Sequence, residues 1–304
     1  MAVNAGPSML SDPPVNLLSL DGGGIRGVSE LFIFDEIMKR VQAHKSLPNT
    51  PKPCEYFGLI GGTSTGGLIA IMLGRLKMTT EEALQSYNKT SSTVFSAENR
   101  KPFYMDGKFK ATTLKKEIQN VLRQAGKRLR MFHDRNKPVF SPAIPTYQGL
   151  PNQGPDCKIW EAARATTAAP TFFKAIKIAG PGGFGPDYVD AGLGFNNPAK
   201  EVRDEAKELF GASACSSASG QAILVLRITT DCESVADELA EEYGSVDTYF
   251  RFNVLHGAEG VSLDEWKKMS EVMAHMPSYL RGPEVSREID RVVAYLCSSL
   301  PRTK

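Results

Sequence analysis

One serine of the sequence lies in a setting that would make it a nucleophile. Ser64 stands at the centre of Gly62-Thr63-Ser64-Thr65-Gly66, a few residues after the apolar run 56–60. Glycines on both sides of a serine permit a sharp strand-to-helix turn that lifts the hydroxyl above the end of a sheet. The segment therefore predicts a nucleophile elbow, and with it acyl transfer through a covalent serine intermediate.

A second glycine-rich segment, Asp21-Gly22-Gly23-Gly24-Ile25-Arg26-Gly27, follows the apolar run 15–20. Consecutive N–H groups at the start of a helix form a donor array suited to an oxyanion. The segment also matches the Gly-x-Gly-x-x-Gly fingerprint of dinucleotide sites. That fingerprint requires an acidic residue about 20 positions further on to hold a ribose, where Ser46 and Leu47 stand instead. The sequence therefore favours an oxyanion hole over a nucleotide site.

Two residue types compete as the base that would activate Ser64. His256 and His275 follow the serine far enough to suit the Ser-Asp-His order of α/β-hydrolases. Asp190 ends an apolar run and opens the glycine turn Asp190-Ala191-Gly192-Leu193-Gly194. Burial would raise its basicity, so that one carboxylate could act without a histidine. Alternatively, Asp190 only caps a helix or fixes a turn. These patterns leave the choice open.

Strand-like and helix-like segments alternate around both motifs. The apolar runs 15–20 and 56–60 predict buried strands, and residues 27–41 and 66–76 predict helices. This alternation favours an α/β fold with a mostly parallel sheet covered on both faces. Later segments predict helices at 113–123, 160–169, 198–210, 263–280 and 284–300, a strand at 222–229, and an edge strand or extended loop at 139–147. We expect one domain over residues 15–300, after an N-terminal extension of residues 1–14.

Charge is distributed unevenly although the net charge is only +2. Between Arg100 and Lys137, 12 basic residues face 3 acidic ones, a net of +9; from 201 to 247, 11 acidic residues face 3 basic ones, a net of −8. The small overall charge predicts no nucleic acid partner. The two stretches are either solvated faces that balance each other, or the basic one is a lobe that binds an anionic membrane.

Composition places the chain among folded soluble proteins, with 41% hydrophobic and 23% charged residues. The five cysteines have no paired spacing, which favours reduced thiols in a cytoplasmic protein. Residues 1–14 carry no basic residue and no apolar core, so no secretory signal is predicted. Residues 56–74 are uncharged, but five glycines in their middle suit a strand, an elbow and a buried helix better than a membrane span.

Taken together, the motifs resemble the signatures of the patatin-like phospholipase family. The glycine-rich segment 21–27, the elbow 62–66 and Asp190-Ala191-Gly192 occur in the family's order, and residues 163–171 resemble a further signature between the last two. Residues 249–254 and 264–268 are similar to fungal members. The resemblance implies a three-layer α/β/α fold and a lipid acyl hydrolase of the phospholipase A or lysophospholipase type, acting on acyl lipids without metal or cofactor.

The resemblance also implies roles for individual residues. Ser64 is the expected nucleophile and Asp190 the expected base, with an oxyanion hole formed by Gly22, Gly23, Gly24 and Thr65 and supported by Arg26. The sequence departs from the family pattern at Ala191, where glycine is usual, and at Gly58, where aspartate is common. The methyl group of Ala191 could restrict the turn that aims Asp190.

Two other functions stay open on the sequence. The first is a catalytically silent lipid-binding or signalling module with the same fold, for which Ala191 is the hint. The second is a Ser-His-Asp esterase. The sequence also leaves open that the chain is one domain of a longer protein.

Overall fold

A central sheet of five parallel strands organises the molecule. The computed structural model describes residues 15–126, 139–140, 157–180, 183–211, 222–227, 233–243, 248–253 and 264–298. The strand order is β3-β2-β1-β6-β7, with β1 at Leu17–Leu20, β2 at Leu59–Gly62, β3 at Val139–Phe140, β6 at Ile223–Arg227 and β7 at Tyr249–Asn253. A separate antiparallel pair joins β4, Ile176–Lys177, to β5, Asp187–Tyr188.

Nine α-helices surround these strands in the described part of the chain. They are α1 Val28–His44, α2 Thr65–Ala70, α3 Thr80–Val94, α4 Ala111–Gln124, α5 Ile159–Thr166, α6 Ala199–Phe210, α7 Glu233–Tyr243, α8 Met269–Leu280 and α9 Pro283–Ser298. A π-helical turn, Ile71–Arg75, continues α2. None of the described helices combines the length and apolar character needed to cross a bilayer.

The two faces of the sheet are buried by different helices. Alternate side chains of a strand point to opposite faces, so Leu18 and Leu20 of β1 pack in one core and Leu17 in another. The larger core contains side chains from α1 to α5, α8 and α9. The smaller core lies between Leu59, Ile223 and Val225 of the sheet and helices α6 and α7. The fold is therefore the predicted three-layer α/β/α arrangement with a parallel central sheet.

Most predicted elements are confirmed within a few residues. Thr79 caps α3 through a reciprocal box, in which Glu82 N–H donates to the Thr79 hydroxyl at 3.1 Å and Thr79 N–H donates to the Glu82 carboxylate at 2.8 Å. At 139–147, the described residues form the edge strand β3. The sequence did not predict β7, α7 or the β4–β5 pair, because short strands and an acidic helix give weak hydrophobic patterns.

Candidate active site

Strand pairing brings the two glycine motifs together. In the parallel register of β1 and β2, Leu20 lies opposite Gly62, so both motifs begin at the same edge of the sheet. The Thr63 N–H donates to Leu20 O at 3.1 Å across this edge. A Cβ placed on Gly22 would lie only 3.1 Å from Ser64 Cβ. Loops at the carboxyl ends of parallel strands form binding crevices in α/β folds, and this edge carries the candidate site.

Ser64 has the strained backbone expected of a nucleophile elbow. Its φ of 54° and ψ of −119° are sparsely populated by residues other than glycine, at a cost of order 1–3 kcal/mol. Helix α2 begins at the next residue, Thr65, and Leu68 N–H donates to Ser64 O at 3.1 Å. Gly66 passes so close to the Leu20 carbonyl that any side chain would overlap backbone atoms. The turn therefore requires glycine there, and it leaves Ser64 partly exposed at the start of α2.

Asp190 lies beside Ser64 although the two residues are 126 positions apart in the sequence. Its N–H donates to Ala168 O at 3.1 Å, and its Oδ1 accepts the Gly192 N–H at 2.8 Å. The side chain is buried, with 4% of Asp190 exposed. Burial raises the pKa of Asp190 to about 6, against the opposing effects of hydrogen bonding by the Ser64 side chain and by the Gly192 N–H. The Asp190 carboxylate therefore fixes its own turn and also lies beside Ser64 with a raised basicity.

Ala191 fits the turn without strain. It opens the short 3-10 helix Ala191–Leu193, and its φ is not positive. No left-handed backbone demands glycine at this position, so the methyl group does not prevent Asp190 from facing Ser64. The other departure, Gly58, lies at the opposite end of β2, where its N–H donates to Asn16 O at 2.9 Å.

The expected oxyanion donors differ in their availability. The Gly22 N–H already donates to Asn196 O at 3.1 Å. Gly22, which the sequence includes among the expected donors, is therefore not free to donate to an oxyanion. Gly23 precedes and Gly24 begins the 3-10 helix Gly24–Gly27, where N–H groups lack intrahelical partners. Thr65 holds the equivalent first position of α2. Arg26 Nε donates to Gly23 O at 3.3 Å, which places the guanidinium against the loop.

Tyr87, which the motifs did not identify, links the glycine loop to α3. Its hydroxyl donates to Gly24 O at 2.5 Å, and the side chains of Ser91 and Thr65 are further hydrogen-bonding neighbours. Burial raises the Tyr87 pKa, so the hydroxyl remains a donor at neutral pH. The apolar spacing of α3 predicts a buried face, but it does not indicate which carbonyl the hydroxyl reaches.

Glu30, also missed, supports the other side of the loop from the first turn of α1. Its Oε1 accepts the Asp21 N–H at 2.9 Å, and both residues are buried, with at most 1% exposed. The pKa of Glu30 is raised well above its ordinary value, chiefly by burial and then by the charge of Asp21. This shift favours the neutral form of Glu30, which lessens the repulsion between two adjacent carboxylates beneath the loop.

A largely apolar cavity of about 70 Å³ reaches Ser64. Gly24 and Thr65 line it beside the serine, and so does Tyr87. The rest of its wall comes mainly from apolar side chains of α2, α3, α4 and the segment after α5, namely Leu68, Val94, Phe95, Leu114, Phe172 and Phe173. A cavity with these walls suits a hydrocarbon chain whose polar end lies at Ser64.

Neither histidine in the described part of the chain lines this cavity. His44 is exposed at the end of α1, and His275 lies within α8. His256, the other histidine considered as a base, lies outside the described residues. Asp190 is therefore the candidate base that the structure brings to Ser64.

Similarity to known proteins shows which family the chain belongs to. The family described as Patatin-like phospholipase matches residues 18–203, which include Ser64, Asp190 and the glycine loop. The chain belongs to this family. Rat "Calcium-independent phospholipase A2-gamma" is 25% identical over 332 residues, covering 92% of the chain and 40% of the relative. "cGAMP-activated phospholipase" of Escherichia coli (strain TW11681) is 30% identical over 207 residues, covering 63% of the chain and 56% of the relative.

Membership of the family does not by itself establish catalysis. "Probable inactive patatin-like protein 9" of Arabidopsis thaliana is 23% identical over 205 residues, covering 62% of the chain and 53% of the relative. The chain spans about half the length of these curated relatives. Among solved structures, VipD from Legionella pneumophila aligns with 95% of the chain and 68% of its own, at a TM-score of 0.38 and 10% identity. The similarity to fungal members stays a prediction.

Proposed function

We propose that the chain is a lipid acyl hydrolase that uses Ser64 as nucleophile and Asp190 as general base. The observation that carries the proposal is the buried Asp190 carboxylate beside the strained Ser64, at the end of an apolar cavity. A pKa of about 6 leaves the carboxylate ionised near neutral pH and basic enough to accept a proton. Membership of the phospholipase family supports the same reaction class.

The proposed reaction proceeds in two halves. Ser64 Oγ attacks the ester carbonyl while its proton passes to Asp190, and the N–H groups of Gly23, Gly24 and Thr65 stabilise the oxyanion. Collapse of this intermediate breaks the bond to the alcohol, which leaves with the proton from Asp190. Water then attacks the acyl-serine and gives its proton to Asp190. The fatty acid departs as the serine regains its proton.

The shape and chemistry of the cavity support a fatty-acyl ester as substrate. Its apolar wall would hold the acyl chain, with Leu68, Phe95 and Phe173 among the lining side chains. A glycerophospholipid or a lysophospholipid presents such a chain next to an ester carbonyl. We therefore propose a phospholipase A or lysophospholipase type of activity.

One observation favours the second candidate, a catalytically silent lipid-binding module. A relative with 23% identity is named probable inactive. In this chain, however, the serine, the aspartate and the cavity are all present, and Ala191 causes no strain. The silent module would bind acyl lipid without forming an acyl-serine.

Labelling with a fluorophosphonate probe separates the two candidates, because the probe reacts with an activated serine whatever the substrate. We expect the wild type to be labelled and to hydrolyse a soluble short-chain ester, and Ser64→Ala to lose both. Ser46→Ala is the matched control, since Ser46 also has a positive φ, 50°, but lies outside the site. An unlabelled, folded wild type would favour the silent module.

We also propose that the enzyme acts at a membrane surface, bound peripherally through the basic stretch between Arg100 and Lys137. The net charge of this stretch supports the proposal. The cytoplasmic location and the place of the chain within a longer protein stay predictions.

A further inference from the structure

A short loop presents three adjacent apolar side chains to solvent. In residues 101–108, here called the tip loop, Phe103 is 101% exposed, Tyr104 76% and Met105 50%. The rings of Phe103 and Tyr104 contact each other, with centroids 5.7 Å apart. Single exposed apolar residues are common, but adjacent ones mark a surface that binds a partner.

Backbone hydrogen bonds fix the conformation of the tip loop that exposes these side chains. Arg100 and Phe109 form an antiparallel bridge at its base, and the Lys101 N–H donates to Lys108 O at 2.9 Å. At its tip, the Met105 N–H donates to Pro102 O at 3.0 Å and closes a turn. Phe109 anchors the base against Phe95, with ring centroids 5.2 Å apart. The backbone therefore holds the three apolar side chains outward.

The same loop is joined to the wall of the cavity. The Lys108 N–H donates to Thr171 O at 2.7 Å, and the Phe109 N–H donates to Phe172 O at 2.9 Å. Phe172 lines the cavity that reaches Ser64. A surface held by the tip loop would therefore lie next to the part of the molecule that receives the acyl chain.

Positive charge flanks the apolar tip in the sequence. Residues 100–116 contain six basic residues and one acidic residue, a net of +5. Four of the basic side chains are exposed, namely Arg100, Lys110, Lys115 and Lys116. Another, Lys108, forms an ion pair with Asp264. Aromatic side chains within a basic surface are typical of proteins that insert into the headgroup region of anionic bilayers.

We propose that the tip loop inserts Phe103, Tyr104 and Met105 into the interfacial region of an anionic phospholipid bilayer. The proposal rests on the proposed function for its purpose, since insertion would bring the cavity to its substrate. A second copy of the chain fits less well, because pairing two identical tips would bring two basic surfaces together. An anionic bilayer would bury the apolar side chains of the tip loop, and its headgroups would attract the neighbouring basic residues.

The test compares vesicle binding by the triple variant F103S/Y104S/M105S with that of the wild type. Because insertion would bury much of three large apolar side chains, we expect binding to phosphatidylcholine–phosphatidylserine vesicles to weaken at least about tenfold. Leu209→Ser is the matched control, since Leu209 is exposed on α6 at the other face of the sheet. Melting temperature and hydrolysis of a soluble ester should not change, which shows that the variant is folded.

A second measurement reports the depth of insertion. Tryptophan at the tip, Tyr104→Trp, should be quenched by brominated lipids beyond the wild-type signal, whereas Leu209→Trp should not be. Unchanged vesicle binding by the triple variant, or an unquenched tip, would overturn the proposal. So would a wild-type dimer that the triple variant converts to monomers without a loss of vesicle binding.

The outcome does not depend on catalysis. If Ser64→Ala left ester hydrolysis intact while the triple variant lost vesicle binding, the assignment of the nucleophile would fail and tip insertion would stand. If Ser64→Ala abolished hydrolysis while the triple variant bound vesicles normally, the reverse would hold.

Discussion

At Asp190, the structure combines two features that the sequence presents as alternatives. Its carboxylate fixes its own turn through the Gly192 N–H and also lies beside Ser64. The turn could be predicted from the glycines that follow it. The raised pKa could not, because it arises from burial among residues distant in sequence, and burial is a property of the whole fold.

The pKa of Asp190 predicts the pH dependence of catalysis. Only the ionised carboxylate can accept the Ser64 proton, so kcat/KM should rise with pH, with a midpoint near 6, and level off above it. Asp190→Asn should lower the rate by about two to four orders of magnitude and remove this limb. Asp187→Asn, an exposed aspartate on β5, should retain both. A wild-type rate in Asp190→Asn would revive a histidine as base.

Stability gives an independent control for Asp190→Asn. The folded-state pKa of about 6 lies above the ordinary 3.8, so the folded protein holds a proton that the unfolded chain releases between these values. Stability contributed by this site is therefore lost as pH rises from 4 to 6. At pH 8, Asp190→Asn should be more stable than the wild type by up to about 3 kcal/mol. A loss of activity would then not reflect unfolding.

Helices position the glycine loop of the candidate site through single side chains. α3 contributes Tyr87, whose hydroxyl donates to Gly24 O, and α1 contributes Glu30, which accepts the Asp21 N–H. The loop that would stabilise the oxyanion is thus held from two helices. In this arrangement, the accuracy of the proposed oxyanion hole would depend on elements that contribute no reacting group.

Tyr87→Phe tests this positioning role. It removes the hydrogen bond to Gly24 O but preserves the ring in the cavity wall, so kcat should fall by about tenfold with little change in KM for a soluble ester. Tyr279→Phe is the matched control, since that hydroxyl donates to Asn253 O at 3.1 Å away from the site. Both variants should lose about 1 kcal/mol of stability. An equal loss of kcat in both would assign Tyr87 a purely structural role.

Elements with strong local patterns could be predicted from the sequence, and elements fixed by tertiary contacts could not. The apolar runs before Asp21 and before Gly62 predicted β1 and β2, and the glycines predicted the two loops. Their adjacency follows from the register of β1 and β2, which no local pattern specifies. The cavity wall at Phe172 and Phe173 depends on the path of the chain after α5, where periodicity gives no signal.

At the scale of the molecule, the described helices of the two charged stretches lie on different layers. α4 packs in the larger core, whereas α6 and α7 cover the opposite face of the sheet. Among the described residues, Lys200 of α6 forms an ion pair with Glu238 of α7, so this pair stays within the layer of the acidic stretch. Lys108 of the basic stretch forms an ion pair with Asp264. Neither of these two ion pairs joins the two stretches, and the exposed Arg100 and Lys116 favour the proposed binding of an external anionic surface.

Neutralising part of the basic stretch separates electrostatic binding from insertion. The variant replaces four basic residues with glutamine: Arg100, Lys116, Lys127 and Arg128. Arg100 and Lys116 are exposed, and Lys127 and Arg128 lie outside the described residues. Lys115 is kept because its Nζ lies 4.1 Å from the centre of the Trp160 ring. Since each charge near an anionic surface contributes about 1 kcal/mol, glutamine at these four positions should weaken vesicle binding by on the order of a hundredfold or more at low salt.

The salt dependence of this variant distinguishes the two contributions. Wild-type binding should fall steeply as salt rises, whereas the four-glutamine variant should depend on salt less steeply, because it keeps fewer screened charges beside an apolar tip that is not screened. The matched control replaces Lys200 and Lys207 on α6, which should leave binding unchanged. Hydrolysis of a soluble ester should be equal in all three proteins, since the described side chains among these, Arg100, Lys116, Lys200 and Lys207, do not line the cavity. Wild-type binding and salt dependence in the four-glutamine variant would refute electrostatic docking through this stretch.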